Sequence, residues 1–146
     1  MCLLPQPAAV ADTQIPIPGG ALAARLYRPT RRPTGTLMYF HGGGWVAGDL
    51  YTHDRLARTL AIELEAVVVS VDYRRPPEAA FPCAFDDCFA ATRWAASSIA
   101  TLGGDAARLG VGATAPGKFG GGRGPGVPGP GTPARGPALD LPCNRP

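Results

Sequence analysis

Apolar positions along this chain change their spacing several times, and each change predicts an element. ALAARLY, residues 21–27, follows the turn signal Pro18-Gly19-Gly20, alternates small or apolar residues with others and stops before Pro29, which predicts a strand. After the polar turn TRRPTG, residues 30–35, the run TLMYF, residues 36–40, is nearly continuous apolar and rich in β-formers, as a strand covered on both faces would be. In THDRLARTLAIELE, residues 52–65, His53, Leu56, Ala57, Leu60, Ala61 and Leu64 recur at helical spacing, which predicts a helix with one apolar stripe and Thr52 as its N-cap. AVVVSV, residues 66–71, is a second buried-strand run and ends at Asp72. A second helix is expected over residues 84–100, with Phe85, Cys88, Phe89, Thr92, Ala96 and Ile99 on its inner face, followed by a GGD turn and a strand over 108–112.

Strand, helix, strand, helix, strand is the order of a parallel sheet flanked by helices, because parallel neighbours need crossover connections. Ligands of such folds gather at the carboxyl ends of the strands. The loop HGGGW, residues 41–45, leaves the 36–40 strand at that end. Three successive residues without a Cβ let amide N–H groups approach a ligand closely, and the natural guest is a negatively charged or strongly polarised oxygen.

Composition divides the chain into two parts. Of its 146 residues, the last 34, residues 113–146, hold nine glycines and eight prolines, a density that marks low complexity and predicts a disordered tail. Residues 1–112 hold ten arginines, no lysine and ten acids, whereas the tail holds Lys118, Arg123, Arg135 and Arg145 against Asp140. The net charge of +3 therefore sits in the tail, and the folded part offers no electrostatic footprint for nucleic acid or membrane. The opening MCLLPQPAAVAD lacks a basic start and is interrupted by Pro5 and Pro7, so no signal peptide or membrane span is expected. With Cys2, Cys83, Cys88 and Cys143 at no repeating spacing, a cytoplasmic protein with reduced thiols is expected, Cys83 and Cys88 being core thiols rather than metal ligands.

Taken together and in this order, HGGGWVAGD, VSVDYRRPPE, FPCAFDDC and LGGDAARLGVG resemble the hormone-sensitive-lipase-like branch of the α/β-hydrolases, the bacterial esterase and lipase group. The resemblance covers roughly residues 12–112 and implies an α/β fold, with residues 1–112 as the N-terminal part of the hydrolase sheet and its flanking helices. It implies a serine carboxylesterase that takes small-molecule acyl esters of short or medium chain, needs no cofactor or metal, and supplies its triad in the order Ser, Asp, His. The amides of Gly42 and Gly43 would form most of the oxyanion hole, with Gly44 keeping the turn open and His41 bracing the loop. Trp45 would line an acyl pocket or fill the core, and Trp94 is expected in the core. Asp72, Tyr73, Arg74 and Glu78 match a family block read as scaffold, in which Arg74 and Glu78 brace the loop beside the Tyr73 hydroxyl. Arg75 and Pro76 stand where that block carries leucine and alanine. Asp86 and Asp87 correspond to an acid pair favoured by the dipole at a helix start.

After LGVG the family pattern continues Gly-Asp-Ser-Ala-Gly, with the serine on a sharp strand-to-helix turn. Residues 113–117 read Ala-Thr-Ala-Pro-Gly, and no serine follows Ser98. Ser70, Ser97 and Ser98 fall in strand or helix contexts without that turn. The codons GGC-GAC-AGC-GCC-GGG encode Gly-Asp-Ser-Ala-Gly and, read one base later, give Ala-Thr-Ala-Pro-Gly. The expectation is a reading-frame shift near Gly112 and a marginal, catalytically incompetent chain. Two other readings stand beside it. One is a non-catalytic binding protein on a hydrolase scaffold with a flexible tail. The other is an arginine-glycine nucleic-acid binder suggested by GGGRGPG, residues 120–126, whose single aromatic, Phe119, provides little stacking.

Overall fold

Every side chain of Val67–Val71 is buried, and this strand lies in the middle of the sheet. The computed structural model describes residues 5–44 and 47–114. The elements follow in the order β1 (Ala9–Ile17), β2 (Gly20–Arg28), β3 (Thr36–Phe40), α1 (Asp54–Glu63), β4 (Val67–Val71), α2 (Cys83–Ser98) and β5 (Leu109–Ala113). Short 3-10 turns at Ile99–Leu102 and Ala106–Arg108 lead from α2 into β5.

The strands form one sheet in the order β1-β2-β4-β3-β5. β4, β3 and β5 are parallel, as the strand and helix alternation predicts, with α1 crossing from β3 to β4 and α2 from β4 to β5. The other half is antiparallel, so the sheet as a whole is mixed. β2 lies antiparallel to β4, and beyond it lies β1, a strand that the sequence pattern did not predict. It joins β2 through a tight turn in which Gly19 has φ +83°, a backbone conformation that glycine adopts without strain, and a turn this short can only reverse the chain. β5 runs through Ala113, one residue past the strand expected from the sequence.

The two faces of the sheet carry separate apolar layers. Val67, Val69 and Val71 join Met38, Phe40, Leu22 and Leu26 on the face covered by α2. Val68 joins Tyr27 and Tyr39 on the face covered by α1. This two-sided burial is why β4 reads as an unbroken apolar run, and each buried valine contributes about 1.5 to 2 kcal/mol.

Both helices depart from the expected detail. α1 begins at Asp54 with His53 at its cap position, and Thr52 does not cap it. The Thr52 hydroxyl and amide are instead turned back to Asp49, whose Oδ1 also accepts from the Tyr51 amide. The buried stripe of α1 is narrower than the pattern predicts: Ala57 and Ala61 are buried, while Leu56 and Leu64 are exposed. On α2 the inner face is Ala84, Asp87, Ala91, Ala95 and, in the turn that follows, Ile99. Phe85 and Phe89, expected inside, are 59% and 55% exposed. The row facing the sheet consists of small side chains, which let the helix lie close to the strands, and that choice rotates the phenylalanines outward. Trp94 packs against the core from α2, as expected. Among the described residues no helix is long and apolar enough to cross a membrane.

The orientation of α2 makes a direct prediction. Ala91→Leu, at a fully buried position, should destabilise the chain by about 1 to 3 kcal/mol through overpacking. Phe89→Ser should change stability by less than about 0.5 kcal/mol. Urea unfolding of the two variants checks both, and the opposite ranking would mean that the phenylalanine face is the buried one.

Candidate active site

The parallel strands β4, β3 and β5 end on the same edge of the sheet, and the residues that leave those ends meet there. β3 delivers His41 and the glycines, β4 delivers Asp72, Tyr73, Arg74 and Arg75, and β5 delivers Thr114. Two of these residues, Tyr73 and Thr114, hold the backbone of His41 and Gly42 in place. The Tyr73 hydroxyl donates to the His41 carbonyl at 2.7 Å, and the two rings stack with centroids 4.3 Å apart. The Gly42 amide donates to Thr114 Oγ1 at 2.8 Å, and the same oxygen lies 3.0 Å from the Tyr39 hydroxyl.

The His41 side chain is fully buried. Its Nδ1 lies 3.2 Å from the Gly42 carbonyl, an acceptor only, so Nδ1 carries the proton in that contact. Among the described residues its Nε2 has no hydrogen-bond partner, and it faces Asp72 Oδ1 at 3.7 Å. That carboxylate oxygen is already bound by Arg75 Nη2 at 2.9 Å. Burial holds the His41 imidazole below the ordinary histidine range, assisted by the nearby Arg75 charge and opposed by the Gly42 carbonyl and Asp72. His41 is therefore a ring held neutral, stacked on Tyr73 and buried. His53, expected only on the apolar stripe of its helix, brings its ring to 5.6 Å from that of His41.

Arg74, expected to brace the loop with Glu78, reaches across to α2. Its guanidinium closes on Asp87, with Nη2 to Oδ1 at 2.6 Å and Nε to Oδ2 at 2.9 Å, and its backbone amide donates to Oδ2 at 2.9 Å. Asp87 is 1% exposed, and Glu78 lies at the surface. A bidentate, charge-assisted pair satisfies a buried carboxylate in a way that a loop residue facing water does not require. The adjacent acids of α2 therefore separate: Asp87 ties the helix to the end of β4, and Asp86 is exposed in the first helical turn. Arg75, a charge where leucine was expected, is half-buried and finds its counter-ion in Asp72. Asp87 was hidden in the sequence because its partner lies 13 positions away, and Thr114 because it falls at the start of the segment expected to be tail.

The glycine loop itself divides into committed and open amides. Gly42 has no room for a side chain, since a Cβ would collide with the Thr114 carbonyl, and its N–H is taken by the Thr114 hydroxyl. In this arrangement the Gly42 N–H, expected from the sequence as an oxyanion donor, is occupied by the Thr114 hydroxyl. Gly43 and Gly44 have φ +138° and +63°, and among the described residues none accepts a hydrogen bond from either amide. The Gly43 carbonyl accepts from the Ala47 amide at 3.0 Å, which closes the turn. Trp45 lies outside the described residues.

The serines that the sequence offers lie in strand or helix. Ser70 Oγ is buried in β4 without a partner, and the Ser97 hydroxyl bonds back to the Trp94 carbonyl of its own helix at 3.1 Å. The Cys88 thiol is pushed up to about 12 by burial and the neighbouring Asp87, so it stays protonated. Cys83 is buried. Among the described residues no group of three or more His, Cys, Asp and Glu side chains could hold a metal ion.

A sheet with α1 on one face and α2 on the other, and an open-amide glycine turn at the carboxyl end of a parallel strand, defines a class, and sequence comparison identifies it. A family model described as the alpha/beta hydrolase fold matches residues 37–117, more than half of the chain. The chain belongs to the α/β-hydrolase superfamily, in its hormone-sensitive-lipase-like esterase branch. It is 44% identical over 106 residues to esterase LipI of Mycobacterium tuberculosis, covering 70% of this chain and 33% of that protein. It is 46% identical over 92 residues to carboxylesterase NlhH of the same species, covering 62% and 29%. Among solved structures it is similar to EstE1, a thermophilic carboxylesterase from a metagenomic library, with 40% identity, a TM-score of 0.72, and coverage of 76% of this chain and 38% of that one. The chain thus spans about a third of the length of these curated relatives.

The buried, neutral His41 sets a pH dependence. The unfolded chain protonates this residue near the ordinary value of about 6.5, whereas the folded chain resists protonation until lower pH. Unfolding therefore takes up a proton between those two values, and stability should fall as pH drops below about 6.5 and level off above it. Urea midpoints measured from about pH 5 to about pH 7.5 should show this slope, weakened in His41→Asn. A midpoint independent of pH across that range would mean that His41 is not held neutral.

Proposed function

We propose that residues 1–112 are the N-terminal part of a serine carboxylesterase that acts on small acyl esters, and that this chain keeps the oxyanion loop without a nucleophile. The observation that carries the reading is the pair of amides at Gly43 and Gly44, which leave the carboxyl end of β3 with no acceptor among the described residues. Acyl transfer needs preorganised donors where a carbonyl oxygen gains charge, and removing one such donor costs about 3 to 4 kcal/mol in known hydrolases. The names of the relatives, an esterase and a carboxylesterase, support ester hydrolysis as the chemistry of the whole protein.

The nucleophile is a separate matter. The turn after β5 would present serine at residue 115, and this chain carries Ala115 there and Thr114 in place of aspartate. Without a hydroxyl at that position no acyl-enzyme forms on this turn. The string Ala113 to Gly117 equals the out-of-frame reading of the expected motif, which supports a frame shift near Gly112 and treats residues 113–146 as its product.

Purified chain mixed with a chromogenic acetate ester should hydrolyse it no faster than buffer and should take no label from a fluorophosphonate probe. The product of the same gene with the frame restored to Gly-Asp-Ser-Ala-Gly should do both. Turnover or labelling by the chain with Ala115 would overturn this reading, as would a gene sequence with no restorable frame.

A further inference from the structure

The last rung between β3 and β5 pairs Phe40 with Ala113, so the next residues on the two strands are His41 and Thr114. Beyond this rung the ladder is continued by a side chain. Thr114 Oγ1 accepts from the Gly42 amide, where a continuing strand would have supplied a carbonyl. Its own carbonyl lies against the Gly42 Cα, closely enough to exclude any side chain there. The hydroxyl is steadied in turn by Tyr39, 2% exposed and 3.0 Å away. Farther along, Gly48 passes so near the Gly42 carbonyl and the His41 ring that a Cβ would lie 2.5 Å from the former, and the Ala47 amide holds the Gly43 carbonyl. The loop is clamped on both sides of the Gly43 and Gly44 amides, which have no acceptor among the described residues.

We propose that Thr114 is the positioning residue of the glycine loop: its hydroxyl withdraws the Gly42 amide from the donor set and fixes the angle at which Gly43 and Gly44 leave the sheet. The functional meaning of this latch rests on Gly43 and Gly44 being the oxyanion donors, whereas the latch itself does not. A donor committed to an internal hydroxyl cannot also meet a ligand, so the assignment divides the three glycines by role. A bare threonine-shaped residue would fill the same space and leave the Gly42 N–H without its partner.

Amide hydrogen exchange followed by NMR tests the latch without any ligand. In the unsubstituted chain Gly42 should exchange about fivefold or more slowly than Gly43 and Gly44, the protection expected from one net hydrogen bond. Thr114→Val should raise the Gly42 rate by about that factor relative to the Val69 amide of the central strand, and Thr114→Ser should restore it. Equal rates at the three glycines of the unsubstituted chain overturn the proposal, and this comparison stands even if Thr114→Val does not fold. A Gly42 rate unchanged by Thr114→Val, or not recovered by Thr114→Ser in a folded chain, also overturns it. Failure of the chain to bind an oxyanion would leave these rates untouched and count only against the donor assignment.

Discussion

At the carboxyl end of the sheet, Gly42 and Thr114 approach so closely that position 42 has no space for a side chain. This contact exists because β3 and β5 are in register from Thr36 with Leu109 to Phe40 with Ala113, and neither strand bends away at the end. The register is secured by burial on both faces, since Met38 and Phe40 face α2 while Tyr39 faces α1. The consequence for chemistry is an ordered exit from the sheet. One amide is consumed to hold the chain, and the next two enter a turn whose backbone angles suit glycine.

A second set of contacts, all from the end of β4, supports the same loop from beneath. Tyr73 holds the His41 carbonyl and stacks on its ring, and Asp72 stands between His41 and Arg75. Arg74 ties the strand end to α2 through Asp87. Each charge at this edge that is withdrawn from water has an opposite charge in contact, which is the condition for burying it without large cost. Arg75 illustrates the rule. A guanidinium at a position expected to be apolar is accommodated because Asp72 is within 2.9 Å, and the same carboxylate oxygen lies 3.7 Å from His41 Nε2.

The parts of the molecule legible in the sequence are those where one physical demand dominates. β3 and β4 declare themselves because burial on two faces requires an unbroken apolar run, and the glycine loop because few other sequences place three residues without a Cβ at a strand end. β1 was not legible because it is an edge strand with one buried residue, Ile15, and its apolar positions are interrupted by Asp12, Thr13, Gln14 and Pro16. The face of α2 was misjudged because phenylalanine has the larger transfer energy, yet the space between helix and sheet accepts alanine. Within the candidate site the loop and the family block were visible, but the Arg74–Asp87 pair and the Thr114 contact depend on chain segments 13 and 72 residues apart, which no local pattern encodes.

The division of the glycine amides is the centre of this picture, and titration with phenylphosphonate, a tetrahedral oxyanion, tests it most directly. In amide spectra of the chain, the Gly43 and Gly44 signals should move progressively with added phosphonate while Gly42 stays in place. A shift at Gly42 as large as those of its two neighbours, or no movement at any of the three, would contradict the assignment of donor and anchor.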